Sequence, residues 1–301
     1  MTESVPHPYI LVGIDGSSSA LNALTWAVGE AQLRKLPIRL AHAVDNSGAA
    51  VGFNPGASES FFEHLNADAL RFLHQARDHA HALDPDVHVV MSRVSGHPLA
   101  ALVELSTDAV LTTLGSTGLN AFSGLVAGSV SVGLAARGHS PVVITRTSVP
   151  SIDGPIVVGV SGSADAEDAI AWAFDEASLR GADLIAVHVW NDIAPSHIFW
   201  GYRPPGPGDE IPGTQEERLL AQRLAGWQEK FPDVKVHRVV TTGKPAAVLA
   251  SQSQHARLVV VGSRGRGDAA GLFLGSTSHS LIHHAMCPVL IARPRSHKTT
   301  G

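Results

Sequence analysis

The sequence has few of the features that mark secreted, membrane-spanning or nucleic-acid-binding proteins. Cys287 is the only cysteine, so no internal disulfide can form, and its place before a predicted buried strand indicates a core thiol. The net charge of −5 disfavours a general nucleic-acid surface, which needs clustered Lys and Arg. No apolar run approaches the roughly 20 residues that span a bilayer, and residues 1–8 do not resemble a signal peptide. We therefore expect a cytoplasmic protein without membrane insertion and without a nucleic-acid partner.

Aromatic residues are also scarce, at 5%, whereas aliphatic residues are abundant, a composition typical of buried parallel strands. Short apolar runs alternate with amphipathic segments, which predicts α/β domains built on doubly wound parallel sheets. The predicted strands are 9–14, 38–43, 87–93, 109–114 and 141–145, then 155–160, 183–189, 235–240, 257–261 and 288–293. The predicted helices are 20–35, 59–83, 97–105 and 128–138, then 165–180, 214–230, 244–253 and 275–286.

A glycine pattern occurs twice, each time after an apolar run and before a helical segment. The first copy is Gly115, Ser116, Thr117 and Gly118, followed after nine residues by Gly128 and Ser129. The second copy is Gly262, Ser263, Arg264 and Gly265, followed after nine residues by Gly275 and Ser276. A strand, a glycine loop and a helix N-terminus direct backbone N–H groups toward an anion. The pattern therefore predicts two nucleotide sites, although tight strand-to-helix turns would use the same glycines.

The repeat extends over whole domains. The two halves align with a shift of 146 residues in the first part of each half and of 147 residues in the last part. With the shift of 146, Trp26 matches Trp172 and His42 matches His188. A chain of 301 residues has the length of about two domains. We predict one domain over 1–148 and another over 153–295, joined by a linker within 146–154.

Ligands of open parallel sheets bind at the carboxyl ends of the strands, where the strand order reverses. Asp15, after the first strand, should therefore face the loop that begins at Gly115, although capping of the first helix is an equal alternative for its side chain. Residues 45–58 and 191–213 form long, irregular connections on the same side of the sheets. Connections of this length are lids, partner surfaces or disordered excursions.

In the duplicated glycine pattern, and in its place after the fourth strand of each half, the chain resembles the universal stress protein family in its tandem two-domain form. The resemblance runs from about Tyr9 to Arg293 and implies two Rossmann-like domains, each with a five-stranded sheet that binds ATP with Mg²⁺. It also implies pairing through the last strand of each sheet, so that the two domains mimic a dimer, and a homodimer of the chain. The implied first site consists of Gly13, Asp15, Ala43, Gly115, Ser116, Thr117, Gly118, Gly128, Ser129 and Val130. The implied second site consists of Gly159, Ser161, Val189, Gly262, Ser263, Arg264, Gly265, Arg266, Gly275, Ser276 and Thr277.

The two implied sites differ in charge. Asp15 of the first half, a candidate Mg²⁺ ligand, is replaced by Ser161 in the second. The first loop has no basic residue, whereas the second carries Arg264 and Arg266. The two sites are therefore predicted to be chemically unequal.

No residue is placed by the sequence to act as a general base or nucleophile beside the glycine loops. We therefore expect a nucleotide-dependent stress-response regulator with an unidentified signalling partner and little or no turnover. One alternative is a slow Mg²⁺-dependent ATPase that uses Asp15. Another is a stress scaffold whose sites are vestigial or bind a different adenine nucleotide such as cAMP.

Overall fold

The computed structural model describes residues 7–45, 55–118, 127–146, 153–162, 165–190, 213–264 and 274–293. The strands are β1 (Tyr9–Gly13), β2 (Ile38–Val44), β3 (Val89–Ser95), β4 (Ala109–Gly115), β5 (Val142–Thr145), β6 (Ile156–Gly159), β7 (Leu184–Trp190), β8 (Val236–Thr242), β9 (Leu258–Gly262) and β10 (Val289–Ala292). The helices are α1 (Ser18–Arg34), α2 (Pro55–Leu83), α3 (Pro98–Leu105), α4 (Ser129–Arg137), α5 (Asp165–Arg180), α6 (Thr214–Lys230), α7 (Pro245–Gln252) and α8 (Ser276–His284).

The chain divides into two compact units, one with β1–β5 and α1–α4, the other with β6–β10 and α5–α8. In the first unit, five parallel strands lie in the order β3-β2-β1-β4-β5. In the second unit, the parallel order is β8-β7-β6-β9-β10, which repeats the first. The predicted α/β class is confirmed. The domain limits 1–148 and 153–295 stay a prediction, since most of the linker lies outside the described residues.

The first strand and first helix show why this sequence folds locally as it does. All five residues of β1 are buried, as expected of a central parallel strand. Helix α1 begins after Ser17, whose Oγ accepts a hydrogen bond from the N–H of Ala20 at 3.1 Å. Leu24 and Val28 on the buried stripe of α1 pack in the core that β1, β2 and α2 share. The helix thereby holds the loop that follows β1 against the sheet.

The first helix of each unit, α1 in one and α5 in the other, carries a buried ion pair. Glu30 is fully buried and pairs with Arg34 one turn later, and Glu176 and Arg180 form the matching pair in α5. A buried carboxylate is tolerated when a cation and hydrogen bonds compensate it. The duplication therefore extends to the polar part of the core.

Two predicted boundaries need correction. Helix α2 begins at Pro55, so the irregular connection predicted over 45–58 is wrong for its last four residues. Proline fits the first turn of a helix because the N–H that it lacks would have no partner there. Strand β3 begins two residues later than predicted, because Val87 N–H bonds to Asp84 O in a turn. Residues 46–54, and all but Gly213 of the predicted connection 191–213, lie outside the described residues.

Candidate nucleotide site

The carboxyl ends of β1 and β4 lie side by side in the first unit, as the strand order predicts. A cavity of 740 Å³ opens there, within the 300–1,000 Å³ range usual for small-molecule sites. Nine of the ten residues predicted for this site line it: Gly13, Asp15, Ala43, Gly115, Thr117, Gly118, Gly128, Ser129 and Val130. The tenth, Ser116, is buried and is not a lining residue.

The main chain of Ser116 nevertheless closes the glycine loop. Gly128 donates its N–H to Ser116 O at 2.7 Å, so the residue before α4 is joined to the residue after β4. Ser131, in the first turn of α4, donates its hydroxyl to Gly115 O at 2.8 Å. The loop is therefore held at both ends, with the N-terminus of α4 beside the end of β4.

The N-terminus of α4 faces the cavity without a side-chain cap. Its N-cap residue is Gly128, which has no side chain to accept a hydrogen bond from the first turn. The first N–H groups of a helix have no partner within the helix, and together with the helix dipole they attract anions. Since Ser129 and Val130 line the cavity, these donors lie where an anionic ligand could accept from them.

Three glycines of the first site lie where a side chain would collide with a neighbour. A Cβ at Gly115 would lie 2.6 Å from the backbone of Ser19 in α1, so this glycine allows the helix and the loop to pack. A Cβ at Gly13 would lie 2.3 Å from a methyl carbon of Leu114. Gly115 and Gly13 thus have a packing role whether or not a ligand binds. At Gly118, the nearest atom would be a carboxylate oxygen of Asp15, which belongs to the cavity.

Asp15 takes part in the helix-capping turn and also lines the cavity. Its Oδ1 accepts hydrogen bonds from Ser17 N–H at 3.0 Å and from Ser17 Oγ–H at 2.6 Å. The capping alternative is therefore observed in an indirect form, since Ser17 is the N-cap and Asp15 orients it. The other oxygen, Oδ2, lies toward Gly118. One carboxylate can therefore stabilise the start of α1 and still face a ligand.

The first cavity also contains side chains that no sequence motif indicated. Leu65, Asp68 and Phe72 come from α2, and the Phe72 ring lies 5.6 Å from that of His42 on β2. Asp45 is a third carboxylate among the lining residues, with Asp15 and Asp68, of which Asp68 pairs with Arg71 at 2.8 Å. Among the described lining residues there is no Lys or Arg. The first site is therefore acidic, and it is larger than the glycine pattern alone implies.

The second unit has a smaller cavity of 450 Å³ at the equivalent place. Eight of the predicted residues line it: Gly159, Ser161, Val189, Gly262, Arg264, Gly275, Ser276 and Thr277. Ser263 is buried and does not line the cavity, like its counterpart Ser116. Gly265 and Arg266 lie outside the described residues, so their predicted contacts stay predictions.

The second glycine loop is closed by the same hydrogen bonds. Gly275 N–H bonds to Ser263 O at 2.9 Å, and Ser278 Oγ–H bonds to Gly262 O at 2.6 Å. Gly275 is the N-cap of α8 and provides no side-chain cap. The duplicated spacing in the sequence therefore corresponds to a duplicated hydrogen-bond geometry.

The charge of the second cavity is opposite to that of the first. Arg264 is the one ionised side chain among its described lining residues. Ser161 occupies the place of Asp15 and offers a hydroxyl in place of a carboxylate. The predicted inequality of the two sites is thus visible in the residues that line them.

Two observations bear on other kinds of site. Burial raises the pKa of the Cys287 thiol to about 12, so the thiol is not poised as a nucleophile. Among the described residues, no helix has the length and apolarity to cross a membrane.

Comparisons with known families and relatives identify one family, and a solved structure of that family shares the fold. The model of the Universal stress protein family matches residues 8–146 and 154–293. A universal stress protein of Mycobacterium tuberculosis is 42% identical over 296 residues, covering 94% of this chain and 96% of the relative. One from Mycolicibacterium smegmatis is 35% identical and covers 98% and 100%. The crystal structure of a universal stress protein from Archaeoglobus fulgidus shares the fold, with a TM-score of 0.70 at 21% identity over 95% of this chain and 98% of that one.

Proposed function

Because the chain belongs to the universal stress protein family, we propose that it is a nucleotide-dependent regulatory protein that binds ATP in each of its two units. The observation that carries this proposal is the uncapped N-terminus of α4, and of α8, beside a closed glycine loop in a cavity of ligand size. Backbone N–H groups at such a place bind phosphate oxygens. The apolar wall of each cavity, formed by residues such as Leu102 and Leu249, suits a nucleoside.

Mg²⁺ is expected to enter the first site with the nucleotide. Among the described residues, no group of three or more His, Cys, Asp or Glu side chains could hold a metal ion alone. Mg²⁺ retains several waters and commonly binds through one or two carboxylates together with phosphate oxygens. Asp15 is the proposed carboxylate ligand, because its Oδ2 lies toward the glycine loop. The ion would offset the repulsion between the phosphates and the acidic wall of this site.

The second site is expected to bind nucleotide with less need of a metal. Arg264 lines the cavity and supplies a fixed positive charge, and no carboxylate is among its described lining residues. Guanidinium–phosphate contacts are charge-assisted hydrogen bonds. The two units are therefore proposed to bind the same ligand by different electrostatic means.

The first test is to denature the freshly purified full-length protein and identify any released nucleotide by mass and absorbance. ATP is the expected product, and cAMP would instead favour the alternative ligand. Calorimetric titration of nucleotide-free protein with Mg²⁺–ATP then gives the number of sites, with two expected. If a folded, nucleotide-free protein takes up no adenine nucleotide, the proposal is wrong.

Gly118→Asp combined with Gly265→Asp tests where the ligand binds. An aspartate in either loop adds a side chain and a negative charge where phosphate would approach, so binding should be lost in both units. Matched controls are Gly29→Asp in α1 and Gly226→Asp in α6, where an added Cβ would meet no atom within 4 Å. Equal affinity in the folded loop variant and in the controls would place the ligand elsewhere.

A further inference from the structure

A buried histidine links the edge of the second site to helix α6. His188, on β7, is 5% exposed. Its Nδ1 lies 2.8 Å from Val160 O, and its Nε2 lies 2.8 Å from Oε2 of Glu216, in the first turn of α6. Both ring nitrogens are therefore in hydrogen bonds, one to the main chain of the sheet and one to a helix.

The partners determine where the protons are. A carbonyl oxygen only accepts hydrogen bonds, so Nδ1 of His188 must carry a proton and donate it to Val160 O. The contact between Nε2 and Glu216 also needs a proton, carried either by the ring or by the carboxyl group. In either form, the pair holds one proton between two atoms that would otherwise repel each other. When the ring carries this proton, the contact is a charge-assisted hydrogen bond between an imidazolium and a carboxylate.

The residue that His188 holds lies at the cavity wall. Val160 donates its N–H to Val187 O at 2.9 Å and accepts from His188 at 2.8 Å, so both of its backbone groups are attached to β7. Val160 lines the cavity and is followed by Ser161, which lines it too. A shift of Val160 would thus move the turn that faces the ligand.

Among the described residues of the first unit, the matching histidine repeats only the bond to the main chain and not the contact with a glutamate. His42 Nδ1 lies 2.7 Å from Ile14 O, the residue before Asp15, which repeats the contact between His188 and Val160. With the later shift of 147 residues, Glu216 matches Ala69, whose side chain is buried in the core. His42 lies beside the Phe72 ring instead. Within the part of the chain that the structure describes, the attachment through a glutamate is therefore seen in the second unit alone.

We propose that His188 is a positioning residue of the second nucleotide site, that Glu216 holds His188 in place, and that the affinity of this site depends on the attachment of α6. The inference rests on the proposed binding of ATP in the second unit. It predicts that a change in the first turn of α6 alters binding although α6 contributes no described lining residue to that cavity.

The experiment uses the full-length chain with Gly118→Asp, so that calorimetry with ATP reports the second site. Glu216→Ala should weaken binding by about tenfold, the scale set by the loss of one charge-assisted hydrogen bond. Glu216→Gln should restore most of the affinity, because its amide can donate to a neutral Nε2. Glu217→Ala is the matched control, since it removes an equal charge from the same helix turn at an exposed position. It should leave the affinity unchanged.

A second measurement reads the imidazole directly. Nitrogen-15 NMR of the histidine side chains, with His188→Gln for assignment, should show Nδ1 of His188 protonated. A neutral ring protonated only at Nε2 would overturn the proposal. So would equal ATP affinity in Glu216→Ala and its parent, a result that leaves the proposed function standing. Absence of ATP binding to the parent itself would overturn both.

Discussion

The carboxylate Oδ2 of Asp15 lies 2.9 Å from the point that a Cβ atom on Gly118 would occupy. A contact this short requires one of the two groups to move. Because Oδ2 is at the far end of a short side chain, the side chain can shift in place of the backbone. Gly118 in the glycine loop and Asp15, two residues after the end of β1, therefore share one small space, which both an added side chain and a bound phosphate would have to enter.

Gly118→Ala should consequently impair binding more than folding. The new methyl group would displace the Asp15 carboxylate and reduce the approach of phosphate to the backbone, so ATP affinity at the first site should fall by about tenfold. The thermal midpoint should change little. Calorimetry and thermal unfolding of the same samples measure both effects, with Gly29→Ala as the control. A large fall in the midpoint with unchanged affinity would show that Gly118 serves packing.

The two sites should respond differently to removal of Mg²⁺. Asp15→Ser should reduce affinity at the first site by about ten- to a hundredfold, the scale of about 1.5–3 kcal/mol for a charge-assisted contact. Ser161→Ala should have a smaller effect on the second site, where Arg264 provides the charge. Titrations with Mg²⁺ and with EDTA, on Gly118→Asp and Gly265→Asp backgrounds, separate the sites. Equal losses on chelation would contradict the proposed difference.

Turnover should be slow. Asp15 already accepts two hydrogen bonds from Ser17, so the helix cap fixes the orientation of its carboxylate. We expect phosphate release below about one per second, near the lower end of typical enzymes. A coupled phosphate assay measures it, with Asp15→Ala as the paired variant. Faster release that disappears in this variant would establish the ATPase alternative.

Loss of one member of the buried ion pair in α1 should destabilise the first unit. Glu30→Ala removes the fully buried carboxylate that Arg34, whose side chain is 12% exposed, contacts one turn away. The expected cost is about 3–5 kcal/mol of folding free energy, whereas the exposed Asp78→Ala should change nothing measurable. Urea unfolding of the variants is the measurement. Equal midpoints for both would show that the ion pair contributes no stability.

The thiol of Cys287 should be unreactive in the folded protein. With a pKa of about 12, only about one thiol in 10,000 is ionised at pH 8, against a quarter or so for an ordinary cysteine. Its thiolate fraction, and hence its chemical reactivity, should rise about tenfold per pH unit and become large only as the pH approaches that value. Alkylation by iodoacetamide at pH 8 should therefore be complete in denaturant and minimal without it. Rapid modification of the native protein would show that the site opens.

Much of the architecture follows from the sequence because it depends on local patterns. Buried parallel strands appear as short apolar runs, and the predicted order of strands and helices is confirmed in both units. The repeat at 146 to 147 residues correctly indicates two copies of one fold. The start of α2 was harder to predict, since Pro55 is compatible with both a loop and a first helical turn.

The sequence by itself determined the family, the fold and the places of the two glycine loops, because strand ends and glycine spacing are properties of neighbouring residues. Only the tertiary structure decided which distant side chains join each cavity. Asp68 and Phe72 reach the first site from α2, and Glu216 reaches His188 from α6. No local pattern predicts these contacts, because they depend on how each helix packs against the sheet. The two repeats therefore share a backbone plan and differ in the chemistry that packing brings to it.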